Sequence, residues 1–193
     1  PGGWTIAMYH RVIDDAALDP FALGMCVMRD RFEQQMRYLR SAFNIVSVGE
    51  AVRRLEAGDA LPERCLSITF DDGYLDNLTH AMPVLEGLQV PFTIYVPTGG
   101  LDSGEMLWWD RVIATMAATD KPAFDLAEAG LSATPESLPL AGLARAAAVD
   151  RVLDQLWALD MPTATVAVDR IEQLLGSPGR EETLARRLSP AQV

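Results

Sequence analysis

The sequence predicts an α/β fold, because short apolar segments alternate with helical patterns through the first half of the chain. Three of these segments predict buried strands, namely Trp4–Tyr9, Cys65–Phe70 and Pro91–Val96. The turn residues Asp71-Asp72-Gly73 end the second of them. Parallel strands need crossover connections of about a dozen residues or more, and helical patterns fill the intervals here. The alternation therefore predicts a parallel sheet or barrel covered by helices.

The intervals between these strands contain further predicted elements. After an irregular stretch from Asp14 to Cys26, Asp30 is a candidate helix N-cap, because apolar residues follow it at helical spacing: Phe32, Met36, Leu39 and Phe43. Asn44–Val48 is predicted as a short strand and Glu50–Glu56 as a helix. A longer helix is predicted from Asp76 to Leu88, with one apolar face.

The second half of the chain changes character, since residues 108–187 show helical patterns and no convincing strand. Four helices are predicted there: Trp108–Ala118, Leu140–Leu159, Thr163–Leu175 and Glu181–Leu188. This predicts a helical insertion or subdomain at residues 108–187, after an N-terminal part at residues 1–107. At residues 188–193, Ser189 and Pro190 occupy the N-cap and first helical positions of another helix.

Composition and charge exclude several classes of partner. The 193 residues are 49% hydrophobic and 22% charged, which is typical of a globular domain. The chain has 16 basic and 27 acidic residues, and its net charge of −11 repels nucleic-acid phosphates and anionic lipids. No apolar run reaches the roughly 18 residues of a membrane span, and the two cysteines form no CxxC zinc motif. We therefore expect no nucleic-acid partner and no membrane insertion, while the oligomeric state stays open.

The residues Thr69–Tyr74 carry the most informative chemistry. They stand at the carboxyl end of a predicted strand, where α/β sheets and barrels place their active sites. Asp71 and Asp72 repel each other at neutral pH, so they need a cation or a shared proton. One carboxylate could hold a divalent metal ion while the other accepts a proton from water, whose pKa the ion lowers to about 7. The structural alternative is that the two aspartates form a helix N-cap and a solvated turn.

The motif Thr69-Phe70-Asp71-Asp72-Gly73-Tyr74 resembles the first motif of the polysaccharide deacetylases, the NodB-homology domain of carbohydrate esterase family four. Four more segments resemble this family in the same order: Met8–Val12, Asp76–Leu85, Pro91–Val96 and Leu101–Asp110. The last of these resembles a branch associated with exopolysaccharide gene clusters. The resemblance covers residues from about 5 to 113, with Phe92 where the family usually has alanine.

The resemblance implies hydrolysis of N-acetyl groups on a glycan, by the N-terminal part of a distorted (β/α) barrel of the polysaccharide-deacetylase type with a helical insertion. It implies that Asp71 is the general base and that Asp72 is a ligand of a divalent metal ion, with zinc as the first expectation. His10 matches a histidine at the rim of related bacterial enzymes, where it could contact the sugar or help to position the base. Tyr74 could stack on or hydrogen-bond a sugar. Both have structural alternatives: His10 as a hydrogen-bonding residue at a strand end, and Tyr74 as a residue that lines the loop.

The chain departs from the family in its histidines. The family completes its metal site with a His-(Ser/Thr)-x-x-x-His segment, whereas this chain contains only His10 and His80. His80 lies in the predicted helix after the motif and is expected to be a helix-surface residue. The resemblance therefore implies that the remaining metal ligands lie beyond Val193, in a longer protein whose next helix begins at residues 188–193.

Two other functions are alternatives to the deacetylase hypothesis. A non-catalytic glycan-binding or scaffold protein would keep the fold without the metal ligands. Phosphoryl transfer by a strand-end aspartate is disfavoured, because Asp71 and Asp72 are adjacent and no Gly-x-x-x-x-Gly-Lys loop is present. Trp108 and Trp109 could stack on sugars, although packing of the helical insertion explains them better.

Overall fold

The computed structural model describes residues 3–21, 24–99, 106–176 and 185–193, and the chain divides into two compact units. The first unit comprises Pro1–Leu18, Gly24–Glu105 and Arg186–Val193. The second comprises Asp19–Leu23 and Met106–Ala185. The last residues of the chain thus belong to the same unit as the Asp71-Asp72 motif.

The first unit combines six strands with three α-helices. In chain order its strands are β1 (Trp4–Tyr9), β2 (Arg11–Ile13), β3 (Cys26–Met28), β4 (Asn44–Ile45), β5 (Cys65–Phe70) and β6 (Phe92–Ile94). Its α-helices are α1 (Arg29–Ala42), α2 (Val48–Ala57) and α3 (Met82–Gly87), the last preceded by a π-helical turn at Asn77–Ala81. This mixture confirms the predicted α/β class.

Strand β5 is the centre of a four-stranded parallel sheet. Strand β1 pairs with one edge of β5 along its whole length, from Trp4 opposite Cys65 to Tyr9 opposite Phe70. The other edge of β5 pairs with β4 near its start and with β6 near its end. Because the strands are parallel, the residues that follow β1, β5 and β6 meet at one edge of the sheet. The described residues form this open sheet and a separate β2–β3 pair; they do not show a closed barrel.

One face of the sheet is covered by apolar side chains from the helices. Phe32 and Met36 of α1 and Leu85 of α3 are fully buried in the same cluster as Ile68 and Phe70 of β5. Burying a side chain of this size contributes about 1.5–3 kcal/mol. This packing holds the central strand, and therefore the position of the residues that follow it.

The second unit has its own core, formed mainly by α-helices. Its elements are α4 (Trp108–Ala118), an antiparallel hairpin of β7 (Ala123–Asp125) and β8 (Ser137–Pro139), α5 (Ala144–Trp157) and α6 (Met161–Leu175). Arg111 of α4 donates hydrogen bonds to Asp169 and Glu172 of α6, at 2.6 and 2.8 Å. Trp108 packs against the core of this unit.

The bounds of β1, β5 and α4 match the predictions, whereas several weaker predictions are wrong. Helix α1 begins at Arg29, so Asp30 lies in the first helical turn and is not the N-cap. Strands β2 and β3, which flank the predicted irregular stretch, were not predicted, and the half predicted to lack strands contains the hairpin. These strands have three residues each, too few to show a two-residue period. The predicted helix Glu181–Leu188 lies largely outside the described residues, and its described part is not helical.

No helix in the described ranges is long and apolar enough to cross a membrane.

Candidate active site

Asp71 and Asp72 lie at the carboxyl end of β5, at the edge predicted from the sequence. The amide of Asp71 donates to the carbonyl oxygen of Tyr9 at 3.0 Å, which continues the β1–β5 pairing by one residue. Asp72 then adopts a left-handed conformation with φ of 71°, and Gly73 follows with φ of 62°. Such a conformation is uncommon outside glycine, although aspartate tolerates it better than most residues. Two successive left-handed residues turn the chain out of the strand direction immediately after Asp71.

Gly73 is required by both its backbone conformation and its surroundings. A Cβ atom at this position would lie 3.0 Å from Cγ1 of Val96, closer than ordinary van der Waals contact. Its φ of 62° would also be strained in any residue with a side chain. The close approach of Gly73 to Val96 places the turn after β5 against the segment after β6.

We expect Gly73→Ala to lower the free energy of unfolding by about 1–2 kcal/mol, because alanine disfavours this φ value. Gly87→Ala is the matched control, since Gly87 lies at the end of α3 and a Cβ there meets no atom within 4 Å. That substitution should stabilise the protein by about 0.4–1 kcal/mol. Urea unfolding of both variants measures the two changes in the free energy of unfolding. Equal changes for Gly73→Ala and Gly87→Ala would contradict this account of the turn.

His10 lies beside Asp72, as its position at the end of β1 predicts. Its Nε2 atom is 3.9 Å from Oδ2 of Asp72, with 25% of the His10 side chain and 15% of the Asp72 side chain exposed. The side-chain amide of Asn77 donates to the carbonyl oxygen of His10 at 2.7 Å. The imidazole is therefore held next to the carboxylate by the local main chain, and both side chains keep some contact with solvent.

The surroundings of Asp72 penalise its charged form. Partial burial raises the pKa of Asp72, and the neighbouring Asp71 carboxylate raises that pKa further. His10 and Arg187 act in the opposite direction without cancelling the effect of burial. A cation close to Asp72 would stabilise the ionised carboxylate, so the electrostatics of the turn suit a cation site.

Tyr74 differs from the other candidate residues because its side chain is completely buried. The guanidinium carbon of Arg11 lies 5.1 Å from the centre of its ring, in cation–π geometry. This burial favours a structural role for Tyr74, in which it lines the loop, and disfavours a contact between Tyr74 and a sugar.

A buried ion pair lies next to this site in the chain. Nε of Arg11 donates to Oδ2 of Asp76 at 2.8 Å, and the amide of Val12 donates to Oδ1 of the same carboxylate. About nine-tenths of both side chains in the pair is buried. The pair joins β2 to the residues that precede the π-helical turn.

His80 has partners other than the candidate site. Its Nε2 atom lies 3.2 Å from Oδ2 of Asp14, and its Nδ1 atom lies 2.7 Å from the hydroxyl oxygen of Thr79. This arrangement agrees with the structural role expected for His80.

Arg187 is a residue of the site that the sequence did not single out. It lies opposite Tyr74 in an antiparallel bridge, and its charge lowers the pKa of Asp72. Its position after a long helical region carries no motif, so only the folded chain brings it to the end of β5.

The sequence comparisons agree with this geometry. A family model described as polysaccharide deacetylase matches residues 58–120, which include β5, Asp71, Asp72 and β6. Residues 58–120 are therefore similar to the polysaccharide deacetylase family. The resemblance inferred from the motifs is thereby confirmed for this segment.

The chain is also similar to named bacterial proteins and to a solved structure. The poly-beta-1,6-N-acetyl-D-glucosamine N-deacetylase of Escherichia coli K12 is 32% identical over 98 residues, which cover 50% of this chain and 14% of that protein. YxkH of Bacillus subtilis, itself named as a candidate polysaccharide deacetylase, is 32% identical over 97 residues, which cover 50% of this chain and 32% of YxkH. The solved structure of IcaB from Ammonifex degensii is 23% identical, with a TM-score of 0.46, and the match covers 99% of this chain and 94% of IcaB. The chain thus spans less than a third of each of the two curated relatives.

The side chains at the end of β5 fit part of a metal site. Aspartate oxygen and histidine nitrogen atoms are both ordinary zinc ligands, so Asp72 and the neighbouring imidazole are chemically suitable. Within residues 3–21, 24–99, 106–176 and 185–193, no group of three or more His, Cys, Asp or Glu side chains could enclose an ion. Asp72 can therefore supply one ligand of the four that zinc usually takes.

Proposed function

We propose that this chain is part of a metal-dependent deacetylase that hydrolyses N-acetyl groups on a polysaccharide. The observation that carries the proposal is the pair Asp71 and Asp72 at the carboxyl end of β5, inside the segment that matches the family. A carboxylate beside a second, partly buried carboxylate is an arrangement suited to proton transfer next to a bound cation.

Within this proposal, each side chain has a separate task. Asp71 accepts the proton of the water molecule that attacks the amide carbonyl. Asp72 holds the divalent ion, which supplies Lewis-acid activation of the carbonyl and of water when bound. His10, which is partly exposed beside Asp72, contacts the sugar or orients the base. We retain for Tyr74 only the role of lining the loop, since none of its surface is accessible to substrate.

The proposed substrate class is a polymer of N-acetylated hexosamine. The Escherichia coli relative is named for poly-beta-1,6-N-acetyl-D-glucosamine, so oligomers of that sugar are the first substrates to test. The acidic net charge of −11 suits an enzyme whose substrate is neutral and whose product carries free ammonium groups.

We expect metal removal to abolish the activity of the intact protein that contains this chain. Treatment with a chelator should stop acetate release from the oligomers, and added zinc should restore it, because the ion activates both reactants. Asp72→Ala should weaken zinc binding by at least about tenfold, since even residues that only orient metal ligands contribute about 10–100-fold. Calorimetric titration with zinc measures this change without any reaction.

The matched control is Asp59→Ala, which removes an exposed carboxylate from the turn after α2 and should leave zinc affinity unchanged. Oligosaccharide binding without acetate release at any metal concentration would instead support the non-catalytic glycan-binding alternative. Equal zinc affinity of wild type and Asp72→Ala would contradict the role of Asp72.

A further inference from the structure

The turn after β5 is held by a segment from the end of the chain. The amide of Leu75 donates to the carbonyl oxygen of Arg186 at 2.7 Å. The amide of Leu188 donates to the carbonyl oxygen of Gly73 at 2.9 Å. These two bonds frame the antiparallel bridge between Tyr74 and Arg187. In a pair of this type the side chains come especially close, because no hydrogen bond joins the two residues directly.

The side chain of Arg187 continues from this bridge to the segment after β6. Its Nη1 atom donates to the carbonyl oxygen of Gly99 at 3.0 Å, and its Nη2 atom donates to the carbonyl oxygen of Pro97 at 2.5 Å. The guanidinium is planar, so two hydrogen bonds from its terminal nitrogens define its orientation closely. Arg187 therefore links two neighbouring loops at the edge of the sheet where Asp71 and Asp72 lie.

This arrangement has an energetic cost that a surface arginine would avoid. The Nε atom of Arg187 is buried and has no hydrogen-bond partner in the described parts of the chain. Leaving a buried polar group without a partner costs free energy. The guanidinium nevertheless stays between the loops, where its positive charge also acts on Asp72.

We propose that Arg187 is a positioning residue of the active site: by joining the turn after β5 to the Pro97–Gly99 segment, it fixes the Asp72 carboxylate relative to Asp71. The effect on catalysis rests on the proposed deacetylase function, whereas the effect on the turn does not. The two effects are therefore measured separately.

The first measurement is hydrogen exchange in the intact protein, which requires no substrate. In Arg187→Ala, the amides of Leu75 and Leu188 should exchange at least about tenfold faster than in wild type, because the link to the second loop is lost. The amide of Val46, which donates to the carbonyl oxygen of Leu66 near the start of β5, should be unchanged and serves as the internal reference. Arg186→Ala is the matched control, because its exposed side chain is removed while its carbonyl oxygen is kept.

The second measurement is acetate release. Arg187→Ala should lower kcat by about 10–100-fold with little change in KM, as for other residues that orient metal ligands. Added guanidinium ion should restore part of the lost kcat, because it can occupy the space of the missing side chain. Arg187→Lys should recover less than full activity, since an ammonium group does not reproduce the planar pair of donors.

Unchanged exchange at Leu75 and Leu188 in Arg187→Ala would overturn the proposal whether or not the protein is an active deacetylase. An active wild type with an equally active Arg187→Ala variant would also overturn it. A loss of activity that guanidinium does not reverse, together with a lower melting temperature, would show that Arg187 is only a structural residue. An inactive wild type with faster exchange in Arg187→Ala would support the positioning of the turn and contradict the deacetylase function.

Discussion

Asp71→Asn should lower the kcat for acetate release by about 10²–10⁴-fold, the usual contribution of a general base. Asparagine has nearly the same shape as aspartate and keeps the amide that donates to Tyr9, so the turn after β5 should stay intact. The loss should therefore appear in kcat, while zinc affinity and melting temperature stay close to those of wild type. Initial rates with N-acetylglucosamine oligomers, together with a thermal melt, measure these quantities.

Asp59→Asn is the matched control for this substitution, because Asp59 is exposed in the turn after α2. It should retain wild-type kcat. If Asp71→Asn retained wild-type kcat as well, Asp71 would not be the base, and the division of roles between Asp71 and Asp72 would have to be revised.

Arg11→Met should lower the free energy of unfolding by about 3–5 kcal/mol, because it leaves the buried Asp76 carboxylate without its cationic partner. Methionine keeps most of the apolar volume of the arginine side chain, so the loss reports on charge more than on packing. Chemical unfolding at neutral pH measures the change. The control is Arg37→Met, which breaks an exposed pair with Glu33 and should cost less than about 1 kcal/mol.

The deficit of Arg11→Met should shrink at acidic pH. Burial raises the pKa of Asp76 in the folded protein despite the opposing effect of Arg11, and the loss of Arg11 should raise it further. A carboxyl group whose pKa is higher in the folded protein than in the unfolded chain stabilises the fold when the pH is below the unfolded-state pKa. This stabilisation is lost as the pH rises through the folded-state pKa. Protonation thus removes the unpaired charge that destabilises the variant. A deficit that stayed constant from neutral to acidic pH would contradict this explanation.

The parts of the site that could be predicted are those with a local signal. The apolar segment Cys65–Phe70 and the abrupt change to Asp71-Asp72-Gly73 predict a strand that ends at two carboxylates, and the structure agrees. The left-handed conformation of Asp72 could not be predicted in the same way, because aspartate usually adopts other conformations. The close approach of Gly73 to Val96 could not be predicted either, because only the folded chain brings these two segments together.

The contacts that could not be predicted join residues far apart in the sequence. Nothing in the residues around Arg187 distinguishes it from the other arginines of the chain, so no sequence pattern predicts that it lies opposite Tyr74. The short strands β7 and β8 were missed for a different reason, since three residues show no period. The burial of Tyr74 depends on the residues packed around it, and a motif that places it beside Gly73 says nothing about its exposure.

The bridge between Tyr74 and Arg187 also has a consequence for the order of events during synthesis. More than a hundred residues separate the two partners, and ribosomes add roughly 5–20 residues per second. The turn with both aspartates therefore emerges on the order of ten seconds before the strand segment that braces it. Until then, the nascent first unit lacks the segment that pairs with the turn after β5.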